Sequence, residues 1–198
     1  MLEPHVPEDV VKAVLDPERP SNDPVVRTVQ LLMSGFGYDF YDARNVARAN
    51  DLLVRAKARE LLAEAARALA RLEHAFRDAF VPPATREQPL PPADVLQTLR
   101  STARFVQRID DTAARIAALE TPATDAIWFR VRTESALLER LVAFDVDLVV
   151  AANDLAATVA ALDVDALHGG RSEPLVQGIA RIEHALAERA ALLTIPTR

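Results

Sequence analysis

The sequence contains no cysteine, and its 198 residues include only five glycines and ten aromatic side chains. Without thiols, the chain cannot form disulfide bonds, use a thiolate nucleophile or build a thiolate metal site. Half of the residues are apolar, but few occur in the aromatic or β-branched runs that are typical of strands. Alanine, leucine, arginine and glutamate dominate instead, and this composition predicts an all-helical protein.

Lysine is also scarce, since only Lys12 and Lys57 are lysine among 23 basic residues, and the net charge is -6. An acidic chain of this kind is not expected to bind nucleic acid through a general basic surface. The N-terminus has acids and prolines where a secretory signal would have a basic start and an apolar run. The least charged long stretch, 141–162, is interrupted by three aspartates, so no membrane-spanning helix is expected. We therefore expect a soluble, cytoplasmic protein.

Several motifs that carry chemistry are missing. The chain has no Glu-x-x-His spacing, no Gly-x-Ser-x-Gly motif and no glycine-rich phosphate loop. These motifs would place metal ligands on one helix face, expose a serine nucleophile or surround a phosphate group. We accordingly expect no cofactor, and a protein that is not an enzyme is favoured.

The fold prediction rests on long helical segments. Residues 39–80 contain neither glycine nor proline, Asp39 is a suitable N-cap, and Pro82 ends the segment. Three further helices are predicted over about 92–120, 125–162 and 172–195. Together they predict an all-α, up-down-up-down four-helix bundle over 39–198, preceded by an N-terminal arm with short helices over 1–38. The segment between the last two helices is predicted to be a loop.

Apolar residues recur at spacings of three and four in each helix, which assigns one face of each to the core. For the first helix the predicted inward residues are Ala43, Ala47, Val54, Ala58, Leu61, Ala65, Leu72 and Phe76. For the second they are Val95, Leu99, Thr102, Val106, Ile109, Ala113 and Ile116. For the third they are Ile127, Leu138, Leu141, Leu148, Ala152, Leu155 and Val159. For the last they are Leu175, Ile179, Ile182, Leu186, Ala190 and Leu193.

A row of arginines on the flank of the first helix is one candidate ligand-binding surface. It follows a cluster of aromatic residues, and rings beside guanidinium groups can receive an anionic or planar ligand. The alternative is that the rings cover the end of the bundle while the arginines pair with acids on neighbouring helices. The candidate residues are Tyr38, Tyr41, Arg44, Arg48, Arg55 and Arg59.

Some acidic residues also fall on predicted inward faces, namely Asp110, Glu134 and Asp145. A buried carboxylate needs a basic partner, a proton or a cation. Counting the helical rise around the turns brings Glu73, Asp145 and Glu183 to similar heights, which makes them weak candidates for a site with oxygen ligands for a divalent cation. Pairing with the arginine row is one alternative, and simple exposure of these acids through an error in the assumed helical phase is another.

Two functions follow as hypotheses. The first is a non-enzymatic interaction or scaffold protein that self-associates, with a homodimer expected and the identity of any other protein partner open. The reason is that the long apolar faces and the arm have more apolar surface than a monomeric four-helix bundle can bury. The Trp128–Phe129 pair is a candidate contact, with a position in the core as the alternative. The second is a bundle that binds a small anion or a divalent cation, and could be an enzyme, using the arginine row or the inward carboxylates.

Overall fold

The computed structural model describes residues 27, 43–86, 90–119, 135–170 and 172–193. Its helices are α1 (Ala43–Phe80), α2 (Ala93–Ala118), α3 (Ser135–Ala160), α4 (Val164–His168) and α5 (Glu173–Leu193). The four long helices pack as a bundle, which confirms the predicted fold class. Apart from residue 27, the N-terminal arm lies outside the described residues, as does the boundary between 38 and 39, and both stay predictions.

The chain runs up, down, up and down through the long helices. The guanidinium group of Arg55, early in α1, donates to the carbonyl of Leu119 just past the end of α2, so these helices are antiparallel. α5 runs antiparallel to α3, because Arg189 contacts Asp145 whereas Arg181 reaches Asp154 further along α3. α1 and α3 are parallel and lie side by side, a neighbour relation that the sequence did not predict.

α1 has 38 residues and is therefore about 57 Å long. Its predicted inward residues Val54, Ala58, Ala65 and Phe76 are buried. Leu62, Ala66 and Leu69 are buried as well, so the core face is wider than predicted and extends toward Arg55. Pro82, which has no N–H to donate, follows shortly after the end of this helix.

α2 follows its predicted pattern closely. Its buried residues are Val95, Thr102, Ile109, Thr112 and Ile116. The two buried threonines satisfy their hydroxyl groups within the helix, because each donates to the carbonyl four residues earlier, at 2.9 Å for Thr102 and 2.8 Å for Thr112. A threonine that bonds in this way can face the core without an unpaired polar group.

α3 is buried on every side over residues 143–149. The predicted inward residues Leu141, Leu148, Ala152, Leu155 and Val159 are buried. Phe144, Val146 and Val149 are buried too, although they point in other directions around the helix. A helix segment enclosed in this way is mostly apolar on all sides, and a charged residue within the segment is buried with its neighbours.

Two predictions about the last third of the chain were wrong. The segment predicted as a loop contains α4, in which the side chain of Asp163 caps the helix by accepting a hydrogen bond from the backbone N–H of Ala166 at 2.7 Å. Gly170 follows with φ of +71°, the left-handed conformation that glycine adopts most readily. In α5, Arg189 is buried and Ala190 is exposed, because the inward spacing continues from Leu186 by three residues rather than four.

The end of the bundle near α4 is closed by aromatic packing. Phe76 is fully buried, and the ring of Phe80 stacks on His168 with centroids 4.4 Å apart. Val95 of α2 and Leu167 of α4 belong to the same cluster. This contact joins the carboxyl end of α1 to α4, which follows α3, and it is consistent with the parallel direction of α1 and α3.

Candidate functional site

The two arginines of the predicted row whose side chains are described do not share one environment. Arg55 is 6% exposed and lies in the core, whereas Arg59 is exposed. Tyr38 and Tyr41 lie outside the described residues, as do the side chains of Arg44 and Arg48. The difference follows from the wide core face of α1, which includes the position of Arg55 but not that of Arg59.

Arg55 lies where α1, α2 and α3 meet. Its guanidinium group donates to the carbonyl of Leu119 at the end of α2. Burial lowers the pKa of Arg55, while the nearby carboxyl group of Asp145 raises it. Pairing with an acid on a neighbouring helix was one of the two interpretations of the arginine row, and the surroundings of Arg55 agree with it for this residue.

Asp145 and Arg189 form the most deeply buried ion pair among the described residues. Each side chain is 4% exposed, and Nε of Arg189 donates to Oδ1 of Asp145 at 2.5 Å. Burial raises the pKa of Asp145 to about 8 against the opposing charge of Arg55. Burial also lowers the pKa of Arg189 to about 10. Desolvation therefore outweighs attraction at this contact, as is common for charges enclosed by apolar side chains.

A second contact between α3 and α5 lies beside the first. Arg181 donates through Nε and Nη2 to Oδ1 of Asp147, at 3.0 Å and 2.6 Å, and through Nη1 to Oδ2 of Asp154 at 3.0 Å. Asp147 is 1% exposed, whereas Asp154 is at the surface. We refer to the four buried residues Arg55, Asp145, Asp147 and Arg189 as the buried charge layer. The contacts of Asp145 with Arg189 and of Asp147 with Arg181 set the position of α5 along the axis of α3.

The predicted cation ligands engage three different arginines. Asp145 contacts Arg189, and Glu73 accepts from Arg77 at 2.9 Å. Glu183 accepts from Nε and Nη2 of Arg108 at 3.1 Å and 2.7 Å, and these hydrogen bonds lower the pKa of Glu183. Within the described ranges, no group of three or more His, Asp or Glu side chains is placed to hold a metal ion.

Two further acidic residues complete the list of predicted inward carboxylates. Asp110 is exposed, so its predicted inward position was wrong. The core side of α2 is defined by Ile109 and Thr112, and a residue one position after Ile109 is rotated by about 100° from it. Glu134 lies outside the described residues, as do Trp128 and Phe129.

The outer side of α1 carries a feature that the sequence analysis missed. Glu60, Glu64, Arg67 and Arg71 are all exposed, and their spacing places them within about 60° of one another on the helix. We call these four residues the outer row. Its signal in the sequence is the spacing of two glutamates followed by two arginines over twelve positions.

The outer row borders two shallow depressions. One, of about 380 Å³, lies between α1 and α3, and its small side chains are Ala65, Ala68, Ala156 and Ala160. The other, of about 410 Å³, continues along α1 past Arg71 to Asp78. In the part of the chain that is described, Glu64, Arg67 and Arg71 take part in no ion pair, while Glu60 contacts Lys57 at 3.1 Å. This surface therefore combines unmatched charges with space for close approach.

Comparisons with protein-family models, with curated proteins and with solved structures found no match. None of the described helices is long and apolar enough to cross a membrane. The most apolar of them, α3, is interrupted by Asp145, Asp147 and Asp154.

Proposed function

We propose that this chain is a non-enzymatic interaction protein that self-associates through the outside of its helical bundle. The observation that supports this function is the contrast between the interior and the outer row. The buried carboxylates Asp145 and Asp147 are engaged by arginines of the same chain. Glu64, Arg67 and Arg71 instead present charge at the surface, beside grooves lined by alanine.

The length of α1 also favours a scaffold role. A helix of about 57 Å with an exposed side offers an extended contact surface, as is usual for helical proteins that assemble with others. The hydrophobic core and the aromatic cluster at Phe76 pack this helix against α3 and α4. A rigid surface loses little conformational entropy on association, which favours binding.

Binding of a small anion or a divalent cation is the other hypothesis and stays a prediction. Tyr38, Tyr41, Arg44, Arg48, Arg55 and Arg59 are its candidate residues for an anion. Glu73, Asp145 and Glu183 are its candidates for a cation, and each of these carboxylates already accepts hydrogen bonds from an arginine. We therefore favour the interaction protein.

Native mass spectrometry of the untagged chain, purified without added metal, tests the proposal. We expect masses at whole multiples of 21.7 kDa, with the dimer fraction rising with protein concentration. A reproducible excess mass would favour the ligand-binding hypothesis instead. In that case, loss of the excess on Asp145→Asn or on Arg48→Ala would distinguish the carboxylates from the arginine row. A chain that stays monomeric at all concentrations would contradict self-association.

A further inference from the structure

The outer row contains two pairs of like charges at helical spacing and one neighbouring pair of opposite charge, Glu64 and Arg67. Glu60 and Glu64 are four residues apart, and so are Arg67 and Arg71. Like charges at this spacing repel one another and destabilise an isolated helix slightly. Glu64, Arg67 and Arg71 have no ion pair within the described part of the chain that would offset this repulsion.

The same order is self-complementary when two copies of α1 run antiparallel. With the two-fold axis at the height of residues 65 and 66, Glu60 of each copy lies opposite Arg71 of the other, and Glu64 lies opposite Arg67. The two copies then share four acid–base contacts, which offset the repulsion between like-charge neighbours within each helix. A two-fold axis generates this arrangement automatically, because the same surface serves both subunits.

The shape of the surface allows this approach. The groove beside the outer row is lined on the α1 side by Ala65 and Ala68 and on the α3 side by Ala156 and Ala160. Small side chains let a second helix come close, and close approach brings opposite charges into contact. Leu53, which is 41% exposed, lies on the same side of α1 and extends the surface toward the start of the helix.

We infer that the partner of the outer row is a second copy of this chain, bound through antiparallel pairing of the two α1 helices. The inference rests on the proposed self-association and adds its surface and orientation. The ends of the row, Glu60 and Arg71, are eleven positions apart, or about 16 Å along the helix. Because a contact of this size is small, the dimer is expected to dissociate in the micromolar range. Salt should weaken it, since the paired charges are at the surface.

Charge inversion in two halves provides the test. One variant carries Glu60→Arg and Glu64→Arg, which makes the whole outer row basic. The other carries Arg67→Glu and Arg71→Glu, which makes it acidic. Each should be monomeric, with a dissociation constant raised at least about tenfold, because every facing pair becomes repulsive. An equimolar mixture should form a heterodimer, since a basic row then faces an acidic one.

The control carries Arg100→Glu and Arg104→Glu. It has the same change in net charge and the same four-residue spacing as the acidic variant, but its exposed positions lie on α2 rather than in the outer row. It should dimerise like the wild type. Sedimentation equilibrium gives the masses, circular dichroism confirms that each variant is helical, and recovery of association on mixing shows that both variants are folded.

The outcomes separate the inference from the function on which it rests. A wild type that stays monomeric contradicts both, and the outer row would then face a partner of different sequence. Variants that dimerise as strongly as the wild type contradict only the inferred surface. If both variants are monomeric and their mixture does not associate, the charges do not face one another and the antiparallel arrangement is wrong.

Discussion

Replacing Asp145 with asparagine keeps the size of the side chain and its oxygen acceptor but removes its ability to carry a negative charge. The carboxyl group lies between Arg189 of α5 and Arg55 of α1. Burial raises its pKa from the ordinary value of 3.8 to about 8. The carboxyl group therefore binds a proton more tightly in the folded state than in the unfolded chain.

The sign of the effect follows from this difference. A group that binds its proton more tightly in the folded state contributes stability that is fully present below its unfolded pKa. That contribution is lost as the pH rises toward the folded pKa. For Asp145 the window runs from its ordinary value of 3.8 up to about 8. The slope for one group is at most on the order of 1 kcal/mol per pH unit. Asp145→Asn removes the slope, because the amide does not titrate.

Urea unfolding of both proteins, followed by circular dichroism at one fixed protein concentration, measures the difference. Between about pH 5 and about pH 8, we expect the asparagine variant to gain a few kcal/mol relative to the wild type. Asp110→Asn, at an exposed aspartate of α2, controls for the loss of one charge. A difference between wild type and Asp145→Asn that is constant with pH, or that shrinks as the pH rises, would refute the reasoning.

Two further predictions concern the contacts around α3 and α4. Arg181→Met removes both N–H donors to the buried carboxylate of Asp147 and should lower the free energy of unfolding by about 3 kcal/mol. Arg77→Met, at the exposed pair with Glu73, should cost less than about 1 kcal/mol in the same urea experiment; equal costs would contradict the distinction. Phe76→Ala should cost about 3–5 kcal/mol, because the ring is fully buried. A loss below about 1 kcal/mol in thermal unfolding would show that the aromatic cluster contributes little.

The architecture could be predicted from the sequence because helices with one buried face have a clear period. In α2, the three-and-four spacing from Val95 to Ile116 identified the buried side correctly. In α5 the same spacing succeeded up to Leu186 and failed after it, where steps of three and of four are both compatible with a helix. That ambiguity is the reason that Arg189 was missed as a buried residue.

The charge contacts could not be predicted in the same way, since they depend on which helices are neighbours. The sequence predicted the up-and-down order but not that α1 and α3 lie side by side, which brings Arg55 toward Asp145. In α3, periodicity identified the apolar face from Leu141 to Val159. It gave no sign that Asp147 is buried, because residues 143–149 are buried on every side. Counting the helical rise placed Glu73 and Glu183 near Asp145 in height only. Each of these carboxylates contacts a different arginine, at 2.9, 2.7 and 2.5 Å.

The buried charge layer and the outer row follow one rule with opposite outcomes. A helix that is enclosed must match its charges within the chain, since an unpaired buried charge is costly. For this reason Asp147 and Asp145 of α3 pair with Arg181 and Arg189 of α5, and these contacts set the relative position of the two helices. α1 is enclosed on one side only, so its outer charges stay hydrated and carry no such cost. The order of these charges along α1 is therefore not set by a need for partners within the chain. It can instead determine the orientation of the second copy that we infer.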